Sequence, residues 1–215
     1  IVGDYVHQKI TISNELMLIG TWFLRELAKI TNVVIIAGNH DFIENNKDRL
    51  DSITPMVQLL DNDNITYFKD TGCYLDDNIV WTVYSVFDDN NRPEIEKGKL
   101  DYGKDKTYIG LYHAPILGAT TDIGYEFEEG ENLSHFEGCD IVMCGDIHKR
   151  SHFNYKDGEK IVPVVMPSSL IQQNYGENVS KHGFLFWDIE DKTYVECDVE
   201  TDFGFYKFEI ESLGD

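Results

Sequence analysis

The stretch that most constrains the fold is Val33-Val34-Ile35-Ile36-Ala37, a continuous apolar run stopped by Gly38. A strand without polar alternation has to be covered on both faces, as in the parallel sheets of layered α/β proteins. Upstream, Leu16, Ile19, Phe23, Leu27 and Ile30 recur at helical spacing behind Ser13, so a helix capped by Ser13 is expected over 13–30. Strands are expected at 79–86, 108–112 and 140–144, with helical or loop stretches at 51–60 and 132–136. After His148 the pattern changes to hairpins, one over 153–165 around Asp157-Gly158 and one joining 183–189 to 193–199. This order predicts a mixed α/β sandwich, rich in parallel pairing early and antiparallel pairing late.

Composition narrows the class. With 12 Phe, 12 Tyr and 3 Trp in 215 residues, the chain has enough apolar area to fold, which excludes a disordered tail. No apolar run approaches the roughly 20 residues that a bilayer requires. Thirty-nine acidic residues against 18 Lys and Arg leave a formal charge of −21, a field that repels phosphate backbones at long range. A non-specific nucleic-acid coat is therefore excluded, whereas attraction of metal cations fits. Cys73, Cys139, Cys144 and Cys197 form no CxxC pair and are expected as reduced thiols.

Polar groups able to bind a metal directly follow the expected strands. Asp4 follows Val2-Gly3, Asn39, His40 and Asp41 follow Gly38, His113 follows the 108–112 run, and Asp146 and His148 follow Gly145. In open α/β sheets, ligands gather outside the carboxyl ends of the strands. Carboxylate, amide oxygen and imidazole together suit Mn²⁺, Fe²⁺ or Zn²⁺.

The motifs Gly38-Asn39-His40-Asp41, Gly3-Asp4, Tyr112-His113-Ala114 and Gly145-Asp146-Ile147-His148 resemble, in order and spacing, those of calcineurin-like metallophosphoesterases. Gly3-Asp4-Tyr5-Val6-His7 resembles the G-D-x-x-H of SbcD-type DNA double-strand-break repair nucleases, notably phage-encoded ones. Pro167-Ser168-Ser169-Leu170, Asn174-Tyr175-Gly176-Glu177 and His182-Gly183-Phe184 resemble their P-G-S…F-G-E…G-F stretch. The resemblance implies an αββα sandwich of two mixed β-sheets flanked by helices. It implies a nuclease domain over 1–190, with strands over 191–215 leading to a capping region.

The same resemblance implies roles. Asp4 would bridge two divalent metals, Mn²⁺ foremost, with Mg²⁺, Fe²⁺ or Zn²⁺ as alternatives. Asn39, His113 and Asp146 would complete one site, and His148 would ligate the other. His40 would serve the leaving oxygen, with His7 near the scissile phosphate. Two cations about 3.5–4 Å apart can hold the attacking and leaving oxygens of an in-line displacement. An imidazole can donate a proton near neutral pH.

The family's first motif, D-x-H, is expected upstream of Ile1, so the chain reads as a piece of a longer protein. Asp146 stands where the family usually has histidine. Implied partners are DNA, an SbcC-type ATPase subunit and a second copy of the chain, with no membrane. The implied setting is the cytoplasm, of a host cell for a phage-encoded protein. A small-molecule phosphodiesterase or phosphatase of the same fold, and a non-catalytic scaffold, remain as alternatives. Lys149, Arg150, Lys156 and Lys160, and Arg92, Lys97, Lys99, Lys104 and Lys106, are expected on a mixed-charge solvated face rather than in a DNA-steering patch.

Overall fold

The computed structural model describes residues 1–8, 11–88, 90 and 92–209. Helix α1 (Asn14–Ala28) begins at Ser13, whose hydroxyl accepts the Leu16 N–H, the capping bond that the sequence predicts. Its buried stripe is Gly20, Leu24 and Ala28, while the expected Ile19 and Ile30 are exposed. Gly20 sets that register: a Cβ there would crowd Met56 Sδ at 2.8 Å, so this face approaches helix α2 (Ile53–Leu60) most closely.

The strand run becomes β1 (Val33–Ile35), which pairs in parallel with β2 (Ile65–Tyr67). Ile36 bridges in parallel to Val2, so the first residues extend this small layer. Side chains alternate as the double burial requires. Val33 and Ile35 pack with α1 and α2, whereas Val34 and Ile36 point between the sheets.

The main sheet has six strands in the order β3-β4-β5-β6-β8-β7. These are β3 (Gly72–Asp76), β4 (Ile79–Tyr84), β5 (Thr107–His113), β6 (Ile141–Gly145), β7 (Ser151–Asp157) and β8 (Lys160–Met166). β4, β5, β6 and β8 run parallel, and β3 and β7 are antiparallel edges. Val83, Ile109, Leu111 and Ile141 face the β1 layer, and Tyr84, Tyr108, Tyr112 and Val142 face α3 (Ile95–Tyr102) and a 3₁₀ turn (Leu133–Phe136).

The hairpin of β9 (Gly183–Asp188) and β10 (Thr193–Asp198) adds Trp187 to the inter-sheet core. Lys192 in its turn reaches Asp140 Oδ1 at 2.6 Å, at the foot of β6. The result is the expected α/β sandwich. Its second layer consists of two separate pairs, β1-β2 and β9-β10, with no ladder joining them among the described residues.

α3, β2 and β3 have no counterpart in the sequence expectations. β2 is three residues long, and α3 carries Gly98 in its middle, where a Cβ would crowd Cys73 Sγ at 3.1 Å. No helix among the described residues is long and apolar enough to cross a membrane, and all four cysteines are free.

Candidate metal centre

The carboxyl ends of β1, β5 and β6 and the turn after Val2 meet at the seam between the two layers. His113, the last residue of β5, crosses that seam: its Nδ1 lies 2.8 Å from the Val2 carbonyl. A carbonyl only accepts, so Nδ1 carries the proton and Nε2 presents its lone pair. Nε2 is buried and lies 3.2 Å from Asp4 Oδ1 and 3.8 Å from Asp146 Oδ1. It has no hydrogen-bond partner among the described residues.

Ligand atoms of Asp4, His113 and Asp146 all lie within 4.8 Å of one another. Asn39, in the turn after β1, adds a buried Oδ1 that is likewise without a hydrogen-bond partner among the described residues. Buried polar atoms left without a protein partner, as His113 Nε2 and Asn39 Oδ1 are among the described residues, call for a cation, a proton or water. The donor set of two carboxylates, one amide oxygen and one imidazole fits a divalent metal.

Glycine backbone shapes this cradle. A Cβ on Gly38 would strike Asp4 Oδ1 and come within 2.6 Å of His113 Nε2, and one on Gly3 would strike the His113 ring. A Cβ on Gly145 would strike the Val2 carbonyl that holds His113. Each of three motifs thus contributes a glycine because main chain passes directly against His113. Asp4 and Asp146 both take positive φ, at 49° and 87°, a conformation Asp tolerates better than most residues and one that concentrates at functional sites.

The electrostatics call for positive charge. Burial pushes the Asp146 carboxyl above its ordinary range, and the Asp4 charge adds to that push against the nearby histidines. Burial would also raise Asp4, but the His113 and His40 contacts outweigh it and hold it low. For His113 burial favours the neutral ring, yet Asp4, the Val2 carbonyl and Asp146 raise it on balance.

The other expected residues form a surround. The His40 N–H donates to Asp4 Oδ1 at 2.9 Å, and its Nδ1 donates to the His7 carbonyl at 2.8 Å. The His40 and His7 rings stack at 4.9 Å. His148 stands outside the 4.8 Å group, and its Nδ1 lies 2.7 Å from Glu177 Oε1.

The sequence reading assigned no role to the Val2 carbonyl, Glu177 or Asp41, although Asp41 stands among the polar groups after Gly38. Asp41 closes the Gly38–Asp41 turn by accepting from Gly38 N, Val6 N and Tyr5 N at 2.8, 2.8 and 3.2 Å. It thereby ties the Asn39 turn to the Asp4 turn. Burial pushes its carboxyl up to about 6, against the pull of those donors. Its place as the last residue of the Gly38–Asp41 motif was the available signal.

Among the cations, Arg150 donates to the Pro167 carbonyl and pairs with Glu196 and Asp198, and Lys160 pairs with Asp140. Lys97, Lys99 and Arg92 likewise sit beside Glu94, Glu96 and Glu131. The Arg92 and Lys97 pairs lie on a solvated mixed-charge surface as expected, whereas the Arg150 side chain is only 11% exposed and departs from that expectation.

Residues 1–150 match the family model of calcineurin-like phosphoesterases. The chain belongs to that family. Calcineurin-like phosphoesterases typically bind divalent metals, and the Asp4, His113 and Asp146 group is the candidate for doing so here. The chain is also similar to "Uncharacterized protein R555" of Acanthamoeba polyphaga mimivirus, at 35% identity over 216 residues. That alignment covers 98% of this calcineurin-like phosphoesterase chain and 16% of the relative, so the chain spans about one sixth of the relative's length.

Proposed function

We propose that this chain is the phosphoesterase domain of a metal-dependent, SbcD-like DNA nuclease acting in double-strand-break repair or recombination. The observation that carries the reading is the convergence of Asp4, His113 and Asp146, with a stacked pair of histidines whose His40 N–H reaches Asp4. When bound there, a pair of divalent cations, Mn²⁺ first among them, supplies charge neutralisation for a phosphodiester and a readily deprotonated water.

The chain's own residues supply the rest. Asp4 and Asp146 provide carboxylate ligands, and Asn39 and His113 provide neutral ones. Backbone carbonyls hold His113 and His40 in the Nδ1–H form, leaving each Nε2 for the centre. Protonated on Nε2, His40 can give a proton to the departing oxygen, as an Asn or Ser could not. His7 stays beside it through the stacked ring.

His7 and the 167–184 stretch favour DNA over a small diester. The acidic charge of the chain favours a partner that carries the basic DNA surface, an SbcC-type ATPase, and a second copy of the chain completes the assembly. The viral relative favours a host-cell cytoplasmic setting.

The test is Mn²⁺-dependent cleavage of end-labelled linear duplex DNA, with a small chromogenic phosphodiester in parallel. It uses this chain alone and together with an SbcC-type ATPase. Cleavage of DNA is the expected result. Cleavage of the small diester alone would replace the nuclease reading with the phosphodiesterase one. No cleavage with or without the ATPase, with the fold intact, would favour the scaffold.

A further inference from the structure

His148 and its environment lie outside the tight ligand group, and the contacts around it run away from the family's matched segment. Its Nδ1 meets Glu177 Oε1 at 2.7 Å. Glu177 comes from the loop after β8, and its side chain is only 8% exposed, against 36% for His148. The same carboxylate accepts from Asn174 Nδ2 at 2.6 Å and from Gln173 N at 2.7 Å, so its position is set on both oxygens.

The loop itself is fastened by Gln172, a buried residue. Gln172 Nε2 donates to the carbonyls of Asn174 and Glu177, and its Oε1 accepts the Phe205 N–H at 2.7 Å. A carboxylate that orders an imidazole through Nδ1 leaves Nε2 as the ligand atom and raises its basicity.

We propose that Glu177 is the positioning residue for His148, holding it in the Nδ1–H form with Nε2 turned out as a metal ligand. Gln172 locks the Glu177 loop against the segment at Phe205. This assignment rests on the metal-centre reading of the site. It extends the functional unit beyond residue 150, into a part of the chain that the family match does not cover.

The test reads the His148 ring first, in metal-free protein at mildly alkaline pH. Nitrogen-15 shifts of His148 are expected to show the Nδ1–H tautomer in the native chain and a mixture in Glu177→Gln. Glu177→Asp keeps the charge but shortens the reach, and should release the tautomer in the same way, so the result does not hang on the folding of one variant. Calorimetric Mn²⁺ titration of the same proteins should then show affinity falling by roughly tenfold or more in Glu177→Gln. No further fall is expected when that change is made on His148→Ala.

A His148 ring that stays in the Nδ1–H form in both variants overturns the assignment. So does an affinity loss of equal size with and without His148. Native protein that takes up no Mn²⁺ would count against the metal reading, and the ring shifts would still decide the role of Glu177.

Discussion

His113 and His148 end in the same neighbourhood but are held by different means. The His113 side chain is 1% exposed and is fixed by main chain: the Val2 carbonyl on Nδ1 and the backbones of Gly3, Gly38 and Gly145 around the ring. His148 is 36% exposed and is fixed by one side chain, Glu177, from a loop that other side chains hold in place. His113 is therefore part of the sandwich itself, built where its two layers touch. His148 can be released by a substitution that leaves the sandwich standing. Damage on the first side should appear as lost stability, and damage on the second as altered metal chemistry in a folded protein.

The largest effect should come from filling the cradle. Gly145→Ala puts a methyl group into the Val2 carbonyl and is expected to cost about 3 kcal/mol or more, as for other forced overpacking against backbone. Gly118→Ala is the contrasting case: Gly118 has positive φ and open space around it, whereas Gly145 has an ordinary φ and no space. Gly118→Ala should cost only about 1–2 kcal/mol from the backbone conformation alone. Urea unfolding of both variants checks this, and equal losses would remove the special status of the seam.

Next in size is the anchor of the turn that carries Asn39 and His40. That loop returns to the fold at Asp51, which accepts from Lys69 Nζ and Thr54 N, each at 2.8 Å, and from Ile53 N at 3.0 Å. Burial would raise the Asp51 carboxyl, but the Lys69 and Thr54 contacts outweigh it and hold it below its ordinary value. The unfolded chain then binds the proton more readily around pH 4. The contribution is complete above that pH and is lost as pH falls through the lower, folded-state value. Asp51→Asn should cost about 1–2 kcal/mol at pH 7, with the gap from native protein closing on acidification below about 4. Thermal melts across that range check it, and a gap independent of pH would contradict it.

The smallest effect lies on the other side. Ser168 sits at φ 87°, where the resembling nucleases carry glycine. Ser168→Gly should relieve that strain and raise stability by about 0.5–1 kcal/mol, net of glycine's greater unfolded freedom. A loss on denaturant unfolding would show that the Ser168 hydroxyl bonds to Ser169 O and Lys181 O matter more than the strain.

What the sequence made legible follows the same division. Asn39, His113 and Asp146 could be singled out because each stands at or just beyond the carboxyl end of an apolar strand, and Asp4 because it follows Val2, which bridges to Ile36 beside β1. Asp140's link to Lys192 and the Glu177 contact to His148 could not, because they join residues 52 and 29 positions apart through tertiary packing alone. The stripe of α1 was displaced because a glycine, Gly20, forms its closest contact, and apolar counting gives glycine no weight. α3 was missed because Gly98 and its charged residues hide the apolar face that Ile95 buries.

The central claim is that a divalent cation sits among Asp4, Asn39, His113 and Asp146. Calorimetric titration of Mn²⁺ into the native chain, Asn39→Ala and His113→Ala tests it most directly. The account predicts saturable binding to the native chain, weakened by roughly 10-fold to 100-fold or abolished in each variant, with all three proteins folded. Native affinity retained in both variants would contradict it.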